Sequence, residues 1–471
     1  MAGATAGRAV SRRLFRNFSQ LVVGDAAGTC LHAVDLLADQ GIILEIGSDL
    51  PVPDNTKVVD CSGLTAYPGL VNTHHHFFQA FVRNLPALDW TRLTLLEWLE
   101  TIYPIFCSID EDCIYHSSVV SLADLIKHGC TTAFDHQYNY TPHGGSRRVD
   151  RQFEAAALFG LRFHAGRGCN TLPRSEGSTI PDAMLETTDA FLKDCERLID
   201  TFHEPEPGAM RRVVVAPCQP VNAYPETFIE AAALARDRGV SLHTHLGEGE
   251  NAAMEARFGR RSLDWCEQIG FLGADTWLAH GWEFTQQEIE VLARTNTGIA
   301  HCPAPVFLVG AEVTNIPAMV AAGVRLGLGA DGQASNDGSR MTENIRLAYL
   351  LQCLTAQQRE HPVPEPYAFL RMAAAGGAAC LNRDDLGVLN AGMAADFFAV
   401  DLGGLDAVGA SDRPLSFPAK VGLSGPVDMT VVAGKVVWAQ GEFPGLDEGE
   451  LRAEAEGTFQ RVLGPVLPRV A

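Results

Sequence analysis

The sequence predicts an α/β chain folded as a (β/α)8 barrel of the TIM type, with a small discontinuous β-sandwich domain made from its two ends. Three observations lead to this expectation. Eight short β-rich runs alternate with segments of helical composition, the pattern of parallel βα units. The later runs and the first close on histidine or aspartate, as expected where chemistry gathers at the carboxyl ends of barrel strands. The regions outside the eight runs are themselves β-rich at both ends of the chain.

The first run, Tyr67-Pro68-Gly69-Leu70-Val71-Asn72-Thr73, reads as a short buried strand and ends in His74-His75-His76. Residues 129–136, 161–168 and 212–218 are the next three. Val240-Ser241-Leu242-His243-Thr244-His245 is the fifth, Thr276-Trp277-Leu278-Ala279-His280 the sixth and Thr297-Gly298-Ile299-Ala300-His301 the seventh. Residues 324–332, closing on Asp331, are the eighth. At the ends, Leu21-Val22-Val23 and residues 41–47 match residues 395–400 and 429–438, so the two termini are expected to pair into one unit. The boundaries expected are residues 1–65 and 390–443 for that unit, 66–389 for the barrel and 444–471 for a terminal helix and tail.

Side chains alternate along a strand, so His74 and His76 face one side and His75 the other. Two imidazoles converging from one strand end can grip a divalent cation, and neutral nitrogen donors suit zinc and its first-row neighbours. A histidine tag would be terminal and would not follow a strand with a Pro-Gly entry. His245, His280, His301 and Asp331 stand at the matching ends of other strands.

On these residues the chain resembles the amidohydrolase superfamily over nearly its whole length. The resemblance implies metal ligands at His74, His76, His245 and Asp331, with His280 close by. The His-x-x-Glu step from His245 to Glu248 resembles the mononuclear deaminase branch. Where binuclear relatives often carry a lysine, at the end of the fourth strand, this chain has Ala216-Pro217-Cys218. One zinc per subunit is therefore expected, with Fe2+ as the alternative. The segment from His74 to Asn84, together with His301-Cys302-Pro303 and the run from Asp331 to Asp337, is similar to the group of guanine and 8-oxoguanine deaminases and hydroxyatrazine ethylaminohydrolases. The run from Pro303 to Gly310 and Gly425-Pro426-Val427-Asp428-Met429-Thr430 look most like the hydroxyatrazine branch. One departure is visible: Ala304-Pro305 follows His301-Cys302-Pro303, where many purine deaminases have Ser-Asn.

The resemblance implies displacement of an amine from an oxo-bearing nitrogen heterocycle, most closely a hydroxyatrazine-type s-triazine, with 8-oxoguanine or guanine as the alternative. Such chemistry needs a strong nucleophile at neutral pH, which a metal generates from water. It also needs a carboxylate that reaches both the ring nitrogen and the leaving amine, and Glu248 is placed one short step past a ligand. Asp331 can both ligate and accept a proton, and His280 can donate to a developing oxyanion or orient the water. Gln79 and Arg83 would share a pocket-facing side if a helical turn follows His76, and would read the oxo and ring-nitrogen edge. Arg83 could instead form a surface ion pair. Trp90 and Phe78 could cover an aromatic ring or simply pack. His301 either contacts substrate or ties its strand end to backbone, and Asn336 and Phe307 lie on loops that could approach the ring. Asp135 and His136 read as a local turn contact, with a supporting pair behind the metal as the other option.

The charge of −21 disfavours nucleic acid as a partner. Twelve scattered cysteines without a Cys-x-x-Cys pair suggest thiols in a reducing compartment, so the cytoplasm is expected. No run approaches the roughly 20 apolar residues of a membrane span. The opening segment carries Arg8, Arg12, Arg13 and Arg16 and no acid, and is expected to be a disordered or edge-strand leader. A small heterocycle is the expected partner and a homodimer the expected assembly. A cyclic amide hydrolase would use the same barrel but would want a bridging lysine and two metals. A non-catalytic barrel would be expected to lose ligands that this chain retains.

Overall fold

A computed structural model describes residues 12–85, 93 and 95–467. Trp90 and the leader before Arg12 lie outside the described residues; Arg12, Arg13 and Arg16 belong to the first strand.

The chain begins in the outer sheet with β1 (Arg12–Val22), β2 (Cys30–Asp39), β3 (Ile42–Gly47), β4 (Thr56–Asp60) and β5 (Leu64–Pro68). It then enters the barrel through β6 (Leu70–Asn72), β7 (Cys130–Gln137), β8 (Arg162–Arg167) and β9 (Arg211–Val215). The barrel continues through β10 (Ser241–Leu246), β11 (Thr276–His280), β12 (Gly298–His301) and β13 (Leu326–Leu328). These eight strands close on themselves through Leu328 beside Asn72, and every neighbouring pair is parallel. The chain returns to the outer sheet in β14 (Phe397–Asp401), β15 (Met429–Val432) and β16 (Lys435–Ala439) and ends in the helix Glu448–Val462. The order across the outer sheet is β16-β15-β14-β5-β1-β2-β3, with β4 also beside β1. Its core gathers Phe15, Phe18, Leu21, Leu36, Ile43, Phe397 and Val431 from both ends of the chain.

The fold class is the one expected, and the first barrel run divides in a way its sequence hides. Gly69 splits it between two sheets: β5 pairs with β14 in the outer sheet, whereas β6 pairs with β7 in the barrel. A β-carbon at Gly69 would lie 2.2 Å from Thr131 Oγ1, so only glycine lets the strand pass this close. Its amide donates to the Asp396 carbonyl. The Asp396 carboxylate in turn receives Arg162 Nε at 2.6 Å and Nη2 at 3.1 Å, both residues being buried. Removing either partner would strand a buried charge, at a cost of about 3 to 5 kcal/mol.

Helix ends carry local signals that agree with this layout. Asp110 caps the helix Glu111–Lys127 through the amide of Cys113. Thr285 and Glu288 form a capping box on Gln286–Thr295. Inside the barrel, Val71, Phe134, Val214, Trp277 and Ala300 fill the lumen and close its floor beneath the histidines.

Candidate active site

Strand β6 ends at Asn72, so the following histidines are carried by a loop that neighbouring strands brace. Thr73 N donates to Leu328 O, Asp331 N to His74 O and His136 N to His75 O. The Asn72 side chain bridges the same neighbours, accepting from Ala330 N and donating to Phe134 O. The loop is thereby stitched to β7 and to the segment after β13, and His74 and His76 reach the lumen together while His75 bonds Ser339 elsewhere.

Hydrogen bonds fix the protons on four of the imidazoles. His76 Nδ1 lies 2.9 Å from the His136 carbonyl and His245 Nδ1 2.8 Å from the Cys218 carbonyl. A carbonyl only accepts, so both rings carry their proton on Nδ1 and present a bare Nε2. His243 Nδ1 donates to Trp277 O at 2.9 Å, which leaves His243 Nε2 to accept from His74 Nδ1 at 2.9 Å. His74 Nε2 is therefore bare as well. Asp331 Oδ1 lies 3.3 Å from His74 Nε2 and 3.4 Å from His76 Nε2, and the Nε2 atoms of His76 and His245 are 3.1 Å apart.

Three nitrogen lone pairs and a carboxylate oxygen thus converge without a proton among them. This donor set fits a divalent cation of the zinc type. Burial pushes His74, His243 and His245 well below the ordinary imidazole range, and the other rings of the cluster add to it. Burial alone would raise Asp331, but His280, His76 and His245 bring it below its ordinary value. Each group is held in its ligating form.

His280 and Asp331 both sit at positive φ, 78° and 61°, conformations disfavoured for side-chain-bearing residues and concentrated at functional sites. His280 Nε2 is 3.4 Å from Glu248 Oε1, and its ring lies parallel to that of His245. Burial lowers His280 to about 4, so it is neutral at pH 7. Glu248 follows β10 by two residues. Burial raises its carboxyl well above the ordinary range, and the negative charges of Asp331 and Glu250 raise it further. Ser335 donates to the second oxygen of Asp331 at 2.8 Å.

These groups open on a cavity of about 270 Å3. His76, His245, Glu248 and Asp331 form its base, and Gln79, Trp98, Tyr103, Tyr138, Ile180 and Trp282 are among its walls. Gln79 is buried and accepts from Ala334 N. Arg83 is not brought to this cavity. The segment Phe77–Val82 is a 3-10 turn with three residues per turn, and Arg83 already has extended backbone at its end. The shared face expected of an α-helix is lost, and Arg83 lines a separate groove with Asn84, Asp124 and Asp337.

Asn336 donates to Ala330 O instead of facing the cavity, and His301 is buried outside the cavity wall at the end of β12. Phe307 is exposed on the helix Pro303–Val309, whose Pro305 and Val309 do line the cavity. Phe78 packs on Phe106 and Tyr138. Asp135 accepts from Phe77 N and Gln152 Nε2, and the His136 carbonyl holds His76. That pair is a brace for the histidine loop rather than the local turn contact expected.

Sequence reasoning passed over His243, although it stands two residues before His245 and so faces the same side of one strand. Tyr138 and Ser335 sit close in sequence to residues already singled out. Trp98 and Tyr103 come from the helix Leu95–Phe106 and carry no signal in the sequence.

The fold and this donor set define a barrel hydrolase of the metal-dependent kind. The sequence matches the amidohydrolase family over residues 65–437, and the chain belongs to that family. It is 68% identical over 459 residues to hydroxydechloroatrazine ethylaminohydrolase from Pseudomonas sp. (strain ADP), covering 96% of this chain and 95% of that protein. It is 35% identical over 433 residues to 8-oxoguanine deaminase from Pseudomonas aeruginosa, covering 91% and 93%. Among solved structures, the atrazine chlorohydrolase from Arthrobacter aurescens TC1 complexed with zinc aligns with a TM-score of 0.91 at 31% identity, over 95% of this chain and 100% of that one.

Proposed function

We propose that this chain is a mononuclear, zinc-dependent aminohydrolase that removes the ethylamino group of hydroxyatrazine-type s-triazines with water. The observation that carries the reading is the 68% identity, over nearly the full length of both chains, to hydroxydechloroatrazine ethylaminohydrolase. The site is chemically suited to that reaction.

His74, His76, His245 and Asp331 would hold the ion, with iron(II) as the alternative occupant. When bound, the metal supplies a Lewis acid that acidifies water toward neutrality. Asp331 keeps its Oδ2 beside the Ser335 hydroxyl and is available as the first proton acceptor. Glu248 is the proton carrier. A carboxyl whose hold on its proton is strengthened by burial and by nearby negative charge can protonate a ring nitrogen, which makes the ring carbon electrophilic, and, after taking up a proton from the attacking water, deliver it to the departing amine. Neutral His280, next to Glu248, orients the attacking water. Gln79 offers its amide to the oxo-bearing edge of the ring, and Trp98, Tyr103, Tyr138 and Trp282 supply aromatic walls that enclose a planar substrate.

A second reading, deamination of 8-oxoguanine or guanine, has the 35% identity to 8-oxoguanine deaminase in its favour. The reaction is the same at a carbon flanked by ring nitrogens. The Ala304-Pro305 departure argues for the triazine. Incubation with hydroxyatrazine, guanine and 8-oxoguanine, followed by ultraviolet loss of substrate and by amine release, decides between them. Ethylamine from hydroxyatrazine is expected; turnover of the purines alone would replace the first reading by the second. Among the described residues no helix is long and apolar enough to cross a membrane. The cytoplasm is the proposed location, in keeping with twelve cysteines that all remain free thiols. A homodimer is the proposed assembly.

A further inference from the structure

Glu248 is carried on a loop whose neighbouring positions are both glycine. It stands between Gly247 at φ +69° and Gly249 at φ +98°, and neither glycine offers a side chain to pack. A β-carbon on Gly247 would lie 2.8 Å from the Phe284 ring, so the close packing beneath the loop requires glycine there. A proton carrier that must reach two atoms of one substrate needs its carboxyl placed within a fraction of an ångström. Something outside the glycines has to set that position.

Glu250 does so by geometry. Its side chain folds back along the loop: Oε1 accepts Gly247 N at 2.7 Å and Oε2 accepts Glu248 N at 2.7 Å. Both oxygens act as acceptors, which is the arrangement of a carboxylate binding successive amides, and bonds to an ionised acceptor are the strong kind. Glu250 itself is 5% exposed. The opposite side of the loop is held too, since Gly247 O accepts Trp282 N at 2.8 Å and Glu283 N at 3.3 Å. Glu250 stands at the start of the helix Asn251–Phe258, and that helix is tied to its surroundings by Asn251, which donates to Glu283 and accepts from Ser262. The clamp is thus anchored to the segment that follows β11 and His280, the partner of Glu248.

We propose that Glu250 is a positioning residue for Glu248, fixing the peptide from Gly247 to Glu248 so that the Glu248 carboxyl stays beside His280 and the reacting ring. This rests on the reading of Glu248 as the proton carrier.

The test is a double-mutant cycle on the metal-loaded enzyme, with the best substrate of the panel above. Glu250→Gln keeps the size but turns an amide NH2 toward one of the two backbone N–H groups. It should lower kcat by about 10- to 100-fold, the scale of a misplaced catalytic group. KM should stay within about twofold, and metal content and thermal midpoint should stay near wild type. Glu250→Asp, which is shorter and reaches only one amide, should fall between the two and serves if the Gln variant folds poorly. In a Glu248→Gln background, adding Glu250→Gln should cause no further loss, because the residue acts through Glu248. Wild-type kcat in both Glu250 variants, or losses that multiply in the double variant, would overturn the proposal. A wild-type rate in Glu248→Gln alone would instead remove the proton-carrier reading on which it rests.

Discussion

His76 and His245 face each other Nε2 to Nε2 at 3.1 Å, and each gives its Nδ1–H to a backbone carbonyl. Two lone pairs at that distance repel unless a cation lies between them. The pairing of His74 with His243 differs, because there a proton is shared and the bond is an ordinary one. The barrel thus builds one repulsive contact and one supporting contact around the same ring of donors.

The first consequence concerns metal content. About one zinc per chain should be found in active protein, since three histidines and one carboxylate fill a single site. A strong chelator should abolish turnover and lower the thermal midpoint, because an ion that binds only the folded state stabilises it. Elemental analysis giving two metals per chain at full activity, or none, would contradict this.

The supporting contact gives the second. His243→Phe keeps a ring in the barrel lumen but removes the acceptor of His74 Nδ1–H, so His74 loses its fixed tautomer. Metal affinity should weaken by about 10- to 100-fold, the usual cost of losing such a partner. Competition with a coloured chelator measures it; unchanged affinity would mean that His74 is oriented by something else.

For proton transfer, Glu248→Gln should retain the metal and lower kcat by about 100- to 10,000-fold, the range expected for loss of general acid–base help. Metal analysis of the same sample separates this from collapse of the site.

Substrate recognition should divide between Gln79 and Arg83. Gln79→Leu leaves Ala334 N without its acceptor and removes the amide from the cavity, so kcat/KM should drop by at least tenfold, or about 1.4 kcal/mol. Arg83→Met should leave kinetic constants within about twofold, because that side chain lines another groove. A tenfold change in the Arg83 variant would show that its groove communicates with the substrate cavity.

Buried histidines set the response to acid. Burial holds His75 and His301 at about 3 and His203 and His280 at about 4, against an ordinary value of 6.5. Below pH 6.5 the unfolded chain binds protons that the folded chain refuses, so stability is complete above that pH and falls as the pH is lowered toward 4 and then 3. Urea midpoints of the metal-free protein should decrease from pH 7.5 to pH 5. A midpoint that is flat or rises over that interval would show these rings to be free to charge in the fold.

Much of this was legible in the sequence because barrel strands announce themselves twice, by composition and by the reactive residue that ends them. His74, His76, His245, Glu248, His280 and Asp331 all stand at such ends, and the structure gathers them in one place. What the sequence hid has specific physical causes. Arg83 was assigned to the pocket on a period of 3.6, and the segment adopts a period of 3. Asn336 is polar and near a strand end, but a backbone carbonyl claims it. Glu250 stands in a glycine-rich loop where no strand-end signal marks it, and only the folded chain shows its carboxylate turned inward. Trp98 and Tyr103 reach the cavity from a helix whose docking depends on tertiary packing.

The passage through Gly69 ties two parts of the molecule more tightly than a linker would. One residue separates the outer sheet from the barrel strand that leads into the histidine loop, and Asp396, contributed by the far end of the chain, holds that residue in place. The loop that carries His74 and His76 therefore takes its alignment from the last quarter of the polypeptide as well as from the barrel. During synthesis His74 and His76 emerge more than three hundred residues before Asp396, whose carbonyl holds Gly69 in the finished fold. A barrel trimmed of its ends to obtain a minimal catalyst would keep all four proposed ligands and lose the contact that aims two of them.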